Sequence, residues 1–189
     1  RLYSRSGDDI SGAFPDILAA MDFEAAIDGE LLVFDPVADG FAVRPFNDLQ
    51  QRLNRKAVTK KLLKSHPAFI RAYDLLWCDG EDLRGLPFVA RRARLEGLIR
   101  RQAQDEGAAR FDLSDQIAAA DWQALDALRA APPLDAIEGL MLKRKEAPYV
   151  PGRPKGEWWK WKREPHLIDC VLMYAQRGHG KRSGYYSDY

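Results

Sequence analysis

The sequence predicts an α+β fold, and three observations lead to it. Candidate strands and helices follow one another without the regular strand–helix–strand order of a parallel sheet. One pair of short strand candidates is separated by turn residues, which is typical of a hairpin. The chain is 46% hydrophobic and 30% charged, an ordinary balance that disfavours a disordered or fibrous class.

The first half of the chain predicts a hairpin followed by two short helices. Residues 1–4 alternate as in the middle of a strand, residues 26–34 predict a longer strand, and residues 41–43 predict a short return strand after the turn residues Asp35-Pro36 and Asp39-Gly40. Two helices are then indicated by apolar residues at helical spacing: Phe46, Leu49 and Leu53, then Val58, Leu62 and Leu63. Their outer faces carry a basic cluster.

The second half predicts three more strands and two helices. A strand over 69–77 ends at Asp79-Gly80, and Pro87 lies where a helix can begin. Asp121 can cap another helix, whose inward face is expected to hold Trp122, Leu125 and Leu128. The remaining strands span 137–143 and 158–162, with a loop rich in Pro and Gly between them.

The character of the sequence changes after residue 164. A strand candidate over 167–174 leads into the turn residues 178–182, which predicts the opening of a separate β domain over 165–189 after a first domain over 1–164. Because residues 1–4 and 185–189 have strand-like sequence with no terminating signal, we expect the natural chain to extend beyond both ends.

The cysteine content indicates the cellular compartment, and the distribution of charge suggests a kind of ligand. The two cysteines, Cys78 and Cys170, have no metal-ligand spacing, which favours a reduced cytoplasmic protein without zinc. Nine acidic residues and no Lys or Arg lie between Ser6 and Val43, whereas 44–64 and 143–163 are mostly basic. Such segregation suits phosphate binding beside a metal-binding carboxylate site, although solvated helix faces give the same pattern.

The alternation of side chains along a strand predicts which candidate site residues lie together. Residues two apart in a strand share a face about 6.5 Å apart, so Lys160 and Lys162 can bracket one phosphate group. Trp159 and Trp161 then face the opposite side, where they can anchor the strand in the core. Asp28 and Glu30 share a face by the same parity, and Glu138 opens an apolar run where a charge needs a partner. The alternatives are a solvated strand edge for the two lysines, a common turn for Asp28 and Glu30, and a structural salt bridge for Glu138.

Five ordered motifs together resemble those of the ATP-dependent DNA ligases. The motifs are Ser4-Arg5-Ser6, Asp28-Gly29-Glu30, Tyr73-Asp74-Leu75-Leu76, Glu138-Gly139-Leu140-Met141-Leu142-Lys143 and Trp159-Lys160-Trp161-Lys162. The segments 45–52 and 79–87 also look like ligase connecting segments. The resemblance implies an ATP-grasp-like nucleotidyltransferase fold of antiparallel sheets flanked by helices, followed by the first strands of an OB-fold β-barrel. In detail the sequence is similar to bacterial repair ligases with a two-domain core. The ligase module of bacterial end-joining enzymes is the second most similar group.

The resemblance also implies the chemistry and the residue roles. Such enzymes form lysyl-AMP, transfer AMP to the 5′-phosphate of a nick, and release it when the 3′-hydroxyl attacks. Tyr73 is expected to stack on adenine, Arg5 and Glu30 to contact ribose and phosphate or metal, and Glu138 and Glu30 to hold Mg²⁺ or Mn²⁺. The remaining expected contacts are Lys160 and Lys162 as catalytic α-phosphate ligands, Lys143 at the nucleotide, and Arg52, Arg55 and Lys56 on DNA.

Lys143 lies five residues after Glu138, so in a regular strand the two side chains face opposite sides. A shared site therefore requires a bulge. The expected setting is a bacterial cytoplasmic, nucleoid-associated monomer that acts on nicked double-stranded DNA in repair, replication or recombination.

The sequence departs from the family pattern at the nucleophile. A Lys-x-Asp-Gly motif is expected shortly before Ser4, and none occurs in the chain. We therefore expect these 189 residues to be a fragment that cannot form the lysyl-adenylate by themselves. Two alternatives remain open at this point: an RNA ligase or mRNA-capping-type nucleotidyltransferase, which shares the motif order, and a noncatalytic DNA-binding relative.

Overall fold

The central sheet is built on a long strand pair. In the computed structural model, residues 1–37, 40–53, 55–102, 110–134, 137–152, 155–164, 169 and 171–188 are described. Strand β1 (Ala25–Val37) pairs antiparallel with β2 (Gly40–Val43) on one side and with β3 (Ala68–Cys78) on the other. These strands confirm the predicted hairpin and the predicted strand over 69–77.

Two register shifts interrupt the β1–β3 ladder. Asp28 pairs with Asp74 and Gly29 pairs with Ala72, so Tyr73 is an extra residue on β3; a second shift lies between Ala26 and Ile27. Bulges of this kind re-aim side chains and are common beside functional sites.

Helix α4 covers one face of this sheet. Ahead of it come a 3₁₀ turn and three short helices: Ser11–Ala13, α1 (Pro15–Ala19), α2 (Phe46–Gln50) and α3 (Lys60–Ser65). The two-residue strand β4 (Glu81–Asp82) pairs with the end of β3 and leads to α4 (Phe88–Gln102), which confirms the predicted helix after Pro87. The chain then returns as β5 (Phe111–Leu113), which pairs parallel with β3.

The core lies between the sheet and α4. Its fully buried side chains come from β1, β3 and α4 together with the N-terminal segment: Phe14, Ile17, Val33, Phe69, Leu75 and Leu95. Two arginines are also fully buried, Arg52 and Arg91. A guanidinium ion is costly to bury without partners. Each of these arginines is therefore expected to join separate segments of the chain through its hydrogen bonds.

A separate hairpin completes the described part of the first 164 residues. Helix α5 (Trp122–Ala130) begins after Asp121, whose Oδ1 accepts the Ala124 N–H at 2.8 Å as predicted. Strands β6 (Gly139–Lys143) and β7 (Trp158–Lys162) then form an antiparallel pair.

Two predictions about this hairpin and its helix are wrong. Trp122 is 67% exposed and Leu128 is 40% exposed, because α5 packs on the narrow β6–β7 hairpin instead of the central sheet. Trp159 is 48% exposed, and Trp161 lies against Trp122 and Arg129 of α5, outside the central core.

The two ends of the chain are less regular than predicted. Residues 1–4 form no strand, only an isolated bridge between Tyr3 and Asp9. Residues 171–174 are irregular and exposed, and the strands there are the short pair β8 (Gln176–Arg177) and β9 (Tyr186–Asp188). A strand requires a partner ladder, and among the described residues 171–174 have none.

Several predictions fall outside the described residues. They concern Asp39, Pro154, Leu167, Ile168, Cys170, Tyr189 and the domain boundary after residue 164. The boundary and the OB-fold assignment therefore stay predictions. Across the described part of the chain, no helix has the length and apolarity needed to cross a membrane.

Candidate active site

One face of the β6–β7 hairpin presents two lysines and a carboxylate. Lys160 pairs with Met141 and Lys162 pairs with Gly139, so both lysines lie on one face. Glu138 Oε2 accepts a hydrogen bond from Lys160 Nζ at 2.8 Å and lies 3.2 Å from Lys162 Nζ. All three side chains are more than half exposed, so a ligand can reach them. The predicted parity of Lys160 and Lys162 is confirmed.

Gly139 brings Glu138 to this face. In a regular strand Glu138 and Lys143 would point to opposite sides, but Gly139 has φ +146°, a conformation that L-residues rarely adopt. A Cβ atom at Gly139 would lie 2.2 Å from the carbonyl oxygen of Trp161. The backbone irregularity that a shared site requires is therefore present, and it depends on glycine.

Glu30 of β1 faces the same cluster from the central sheet. Burial raises the pKa of Glu30, Lys160 opposes that rise, and the nearby carboxylates Glu138 and Asp28 add to it. The hydrogen bonds from Lys160 and Lys162 lower the pKa of Glu138. The charged form of Glu138 is therefore stabilised within the cluster, whereas the charged form of Glu30 would be stabilised by additional positive charge.

Asp28 joins three segments beside this cluster. Its Oδ1 accepts a hydrogen bond from the Tyr73 hydroxyl at 3.0 Å, and its Oδ2 accepts one from the Tyr149 hydroxyl at 2.9 Å. Burial and the Asp28 charge raise the pKa of Tyr73, and the same causes raise the pKa of Tyr149 to about 12. Both phenols therefore stay protonated donors, and they fix the Tyr73 ring and the 147–149 segment against β1.

Lys143 points into an aromatic enclosure. Its Nζ lies 4.6 Å from the Tyr73 ring centroid, 4.7 Å from that of Phe88 and 4.3 Å from that of Trp158. Asp74 Oδ2 is 3.9 Å away, and Nζ has no hydrogen-bond partner among the described residues. Burial lowers the pKa of Lys143. The side chain is 10% exposed and is thus set apart from Lys160 and Lys162.

A buried ion pair supports the site from the side of the core. Asp74 accepts hydrogen bonds from Arg91 at 2.8 and 3.0 Å, and both side chains are fully buried. Arg91 also donates to the carbonyl of Ala147, which ties α4 to the segment before Tyr149. Sequence reasoning missed this pair. The available signals were a charged residue inside the apolar run 73–76 and the helical spacing of Arg91 from Leu95.

The predicted DNA contact at Arg52 is corrected by the structure. Arg52 is fully buried, and its guanidinium donates to the Ala13 and His66 carbonyls and to both carboxylate oxygens of Asp16. These hydrogen bonds hold the end of α2 against the N-terminal segment. Because the side chain is fully buried, it cannot contact DNA. Arg55 and Lys56 are exposed, in agreement with an external role.

Arg5 lies in the N-terminal turn. It is exposed in a turn closed by the Tyr3–Asp9 bridge, in which Ser4 and Ser6 both donate to Asp8. No hydrogen bond or ion pair joins Arg5 to the other candidate residues within the described part of the chain.

The donor set fits a magnesium site completed by a ligand. No preformed group of three or more His, Cys, Asp or Glu suited to a metal is found among the described residues. Magnesium, however, commonly takes one or two protein carboxylates together with phosphate oxygens and water. Glu138 is exposed, and Glu30 lies near enough to Glu138 and Lys160 for their charges to act on its pKa.

Comparison with known proteins points to one family. Residues 1–162 match the family model described as the ATP dependent DNA ligase domain. A probable DNA ligase of Koribacter versatilis is 33% identical, covering 100% of the chain and 36% of that protein. A DNA ligase of Haloferax volcanii is also 33% identical, covering 96% of the chain and 30% of that protein. The chain thus spans about a third of the length of these relatives.

Solved structures agree with the sequence comparisons. A mycobacterial DNA ligase D complexed with ATP and MES matches with a TM-score of 0.60 and 30% identity, covering 86% of this chain and 47% of that one. The ligase domain of LigD from M. tuberculosis matches with a TM-score of 0.62, 28% identity and the same coverage. A Lig E DNA ligase structure, at 19% identity and a TM-score of 0.58, supports the fold alone.

Proposed function

Because this chain belongs to the ATP-dependent DNA ligase domain family, we propose that it forms the nucleotidyltransferase core of a DNA ligase that uses ATP to seal nicks in duplex DNA. The observation that supports this most directly is the cluster of Lys160 and Lys162 on Glu138, with Glu30 beside it. It places two exposed positive charges beside two carboxylates. Basic side chains, together with carboxylates that can bind a metal ion, stabilise the charge that develops in phosphoryl transfer.

In this proposal the two lysines bind the phosphate that is transferred. Lys160 and Lys162 are held by Glu138 and are more than half exposed, so a phosphate oxygen can replace the carboxylate as their partner. Their charges then neutralise the charge that develops on the α-phosphate during each displacement. They act as electrostatic groups and not as the nucleophile, which belongs to a Lys-x-Asp-Gly motif.

The remaining nucleotide contacts follow from the neighbouring residues. Tyr73, whose hydroxyl is fixed by Asp28, presents its ring to adenine, and Arg5 contacts the ribose or its phosphate. Glu138 and Glu30 would hold Mg²⁺ or Mn²⁺. The ion would neutralise charge at the phosphates.

The DNA partner is proposed to bind along the exposed basic segment that includes Arg55 and Lys56. Phosphate contacts by such residues release counterions, so binding should weaken steeply with salt. We further propose a monomeric bacterial enzyme in the cytoplasm, associated with the nucleoid and acting in repair, replication or recombination.

Nick sealing by the natural full-length protein tests the proposal. Lys160→Met and Lys162→Met should each lower sealing of nicked duplex DNA on the order of 100-fold, the typical effect of removing one group that stabilises a transition state. Lys155→Met is the matched control, because Lys155 is an exposed lysine in the loop before β7. Sealing that survives both substitutions would contradict the proposed role of the cluster.

Substrate choice separates the proposal from its alternatives. Transfer of the nucleotidyl group from GTP in place of ATP would indicate a capping-type enzyme. Sealing of nicked RNA in preference to DNA would indicate an RNA ligase. Salt-dependent binding of nicked DNA without any sealing would indicate a noncatalytic relative.

A further inference from the structure

Burial of the Lys143 ammonium group carries a desolvation cost, which Asp74 opposes. The group is buried among three aromatic rings and makes no hydrogen bond to any residue that the structure describes. The neighbouring Asp74 is already satisfied by Arg91 and by the Leu75 N–H, so it needs no second cation. A methionine would fill the same space without the desolvation of a charge. A charge kept where the fold gains little from it points to a role in binding.

In this enclosure Lys143 offers little surface to a phosphate group, because its side chain is 10% exposed. The centroids of three rings, from β3, α4 and β7, lie 4.3–4.7 Å from the ammonium group, and Asp74 lies beside them. By contrast, Lys160 and Lys162 are 51% and 61% exposed on the same hairpin face. Within the described part of the chain, the ring of Tyr73 is the part of the proposed nucleotide site that Lys143 contacts.

We propose that Lys143 is a positioning residue for the nucleotide base: its ammonium group packs against the Tyr73 ring by a cation–π contact and holds that ring ready to stack on adenine. Asp28 fixes the same ring through its hydroxyl, 3.0 Å away, so the ring is held at its edge and by a cation. This inference rests on the proposed stacking role of Tyr73. It replaces the expectation that Lys143 itself contacts the nucleotide.

Self-adenylation by the full-length protein provides the test. Lys143→Met should raise the KM for ATP about three- to thirtyfold, the range that one cation–π contact spans between exposed and desolvated sites, with kcat at saturating ATP within about twofold. Lys143→Arg keeps the charge and should keep the KM within about twofold. Lys145→Met is the matched control, since Lys145 is exposed two residues along the chain, and it should change neither constant.

A double-mutant cycle shows whether Lys143 acts through Tyr73. If it does, Lys143→Met should change the KM less than twofold in a Tyr73→Leu background. The melting temperature of Lys143→Met should equal or exceed that of the wild type, which a purely structural residue would not permit.

Three results would overturn the inference: an unchanged KM in Lys143→Met, a KM raised as much by Lys143→Arg as by Lys143→Met, or fully additive effects in the cycle. If Tyr73→Leu alone leaves the KM unchanged, the stacking role in the proposed function is wrong as well.

Discussion

Asp28 shows how a single carboxylate can organise a site without carrying the reaction. Its two oxygens accept the hydroxyls of Tyr73 and Tyr149, residues from two different parts of the chain. Tyr149→Phe removes one donor and leaves Asp28 Oδ2 without that partner, so the free energy of unfolding should fall by about 1–2 kcal/mol. Urea unfolding measures this change. Tyr174→Phe, at a site that is 61% exposed, should leave the midpoint unchanged, and equal midpoints for both variants would contradict the argument.

Glu30 should oppose folding at neutral pH. Burial and the neighbouring carboxylates raise its pKa in the folded state above the unfolded value. The stabilisation that comes from protonation is complete below the unfolded pKa and is lost as the pH rises through the folded pKa. Glu30→Gln should therefore raise the urea midpoint at pH 7, and the gain should shrink as the pH approaches 4.

Glu138 is the control for this pH dependence, because its pKa is lowered by Lys160 and Lys162. Its contribution is present above the unfolded pKa and is lost as the pH falls, so Glu138→Gln should shift the midpoint at pH 7 in the opposite direction. A shift of the same sign in both variants would show that the two carboxylates do not differ in this way.

At the scale of single residues, the sequence identifies the groups that depend on local geometry. Strand parity was enough to place Lys160 and Lys162 on one face. The Asp28–Tyr149 hydrogen bond and the Asp74–Arg91 pair join residues far apart in the chain, and no local pattern specifies them. The burial of Arg52 was missed for the same reason, since its partners Asp16 and Ala13 lie in another segment.

At the scale of elements, the β6–β7 hairpin depends on one glycine. Gly139 has a positive φ, and a Cβ atom there would clash with the backbone of Trp161 and Lys162. Gly139→Ala should lower the free energy of unfolding by about 2 kcal/mol or more, from backbone strain and the clash together. It should also lower nick sealing by the full-length protein, because Glu138 loses its orientation. Gly85→Ala, where a Cβ meets open space, should be close to neutral in both assays.

Elements with a strong local pattern and a partner were predictable, and the others were not. The patterns over 26–34, 69–77 and 158–162 gave β1, β3 and β7, because each strand has a neighbour to complete its hydrogen bonds. The apolar spacing of α5 gave the helix correctly but not its burial. That depends on the width of the surface it meets, and a two-stranded hairpin leaves Trp122 largely exposed.

At the scale of the whole molecule, folding brings together the two charge classes that the sequence keeps apart. Asp28 and Glu30 come from the acidic stretch that precedes residue 44, whereas Lys160 and Lys162 come from a basic stretch more than a hundred residues later. The central sheet supplies the carboxylates, and the separate hairpin supplies the lysines and Glu138. Segregated charge in the sequence therefore indicated a composite site, although only the packing of hairpin on sheet defines which residues meet.

The lysines of these 189 residues should not form a covalent adduct with AMP. The sequence has no Lys-x-Asp-Gly motif, Lys160 and Lys162 are engaged by Glu138, and Lys143 is enclosed by aromatic rings. Incubation of the chain with labelled ATP and magnesium, followed by denaturing electrophoresis, should show no retained label, with a known ATP-dependent ligase as the positive control.

Retained label would contradict this prediction, and one variant would locate its source. A lysine must lose its proton to attack phosphorus, and burial lowers the pKa of Lys143, which makes it the first residue to examine. If Lys143→Met abolished the label while Lys145→Met kept it, Lys143 would be the nucleophile and its role in positioning Tyr73 would have to be abandoned. Label that survived Lys143→Met would direct attention to Lys160 and Lys162, and the assignment of those two as purely electrostatic groups would be wrong.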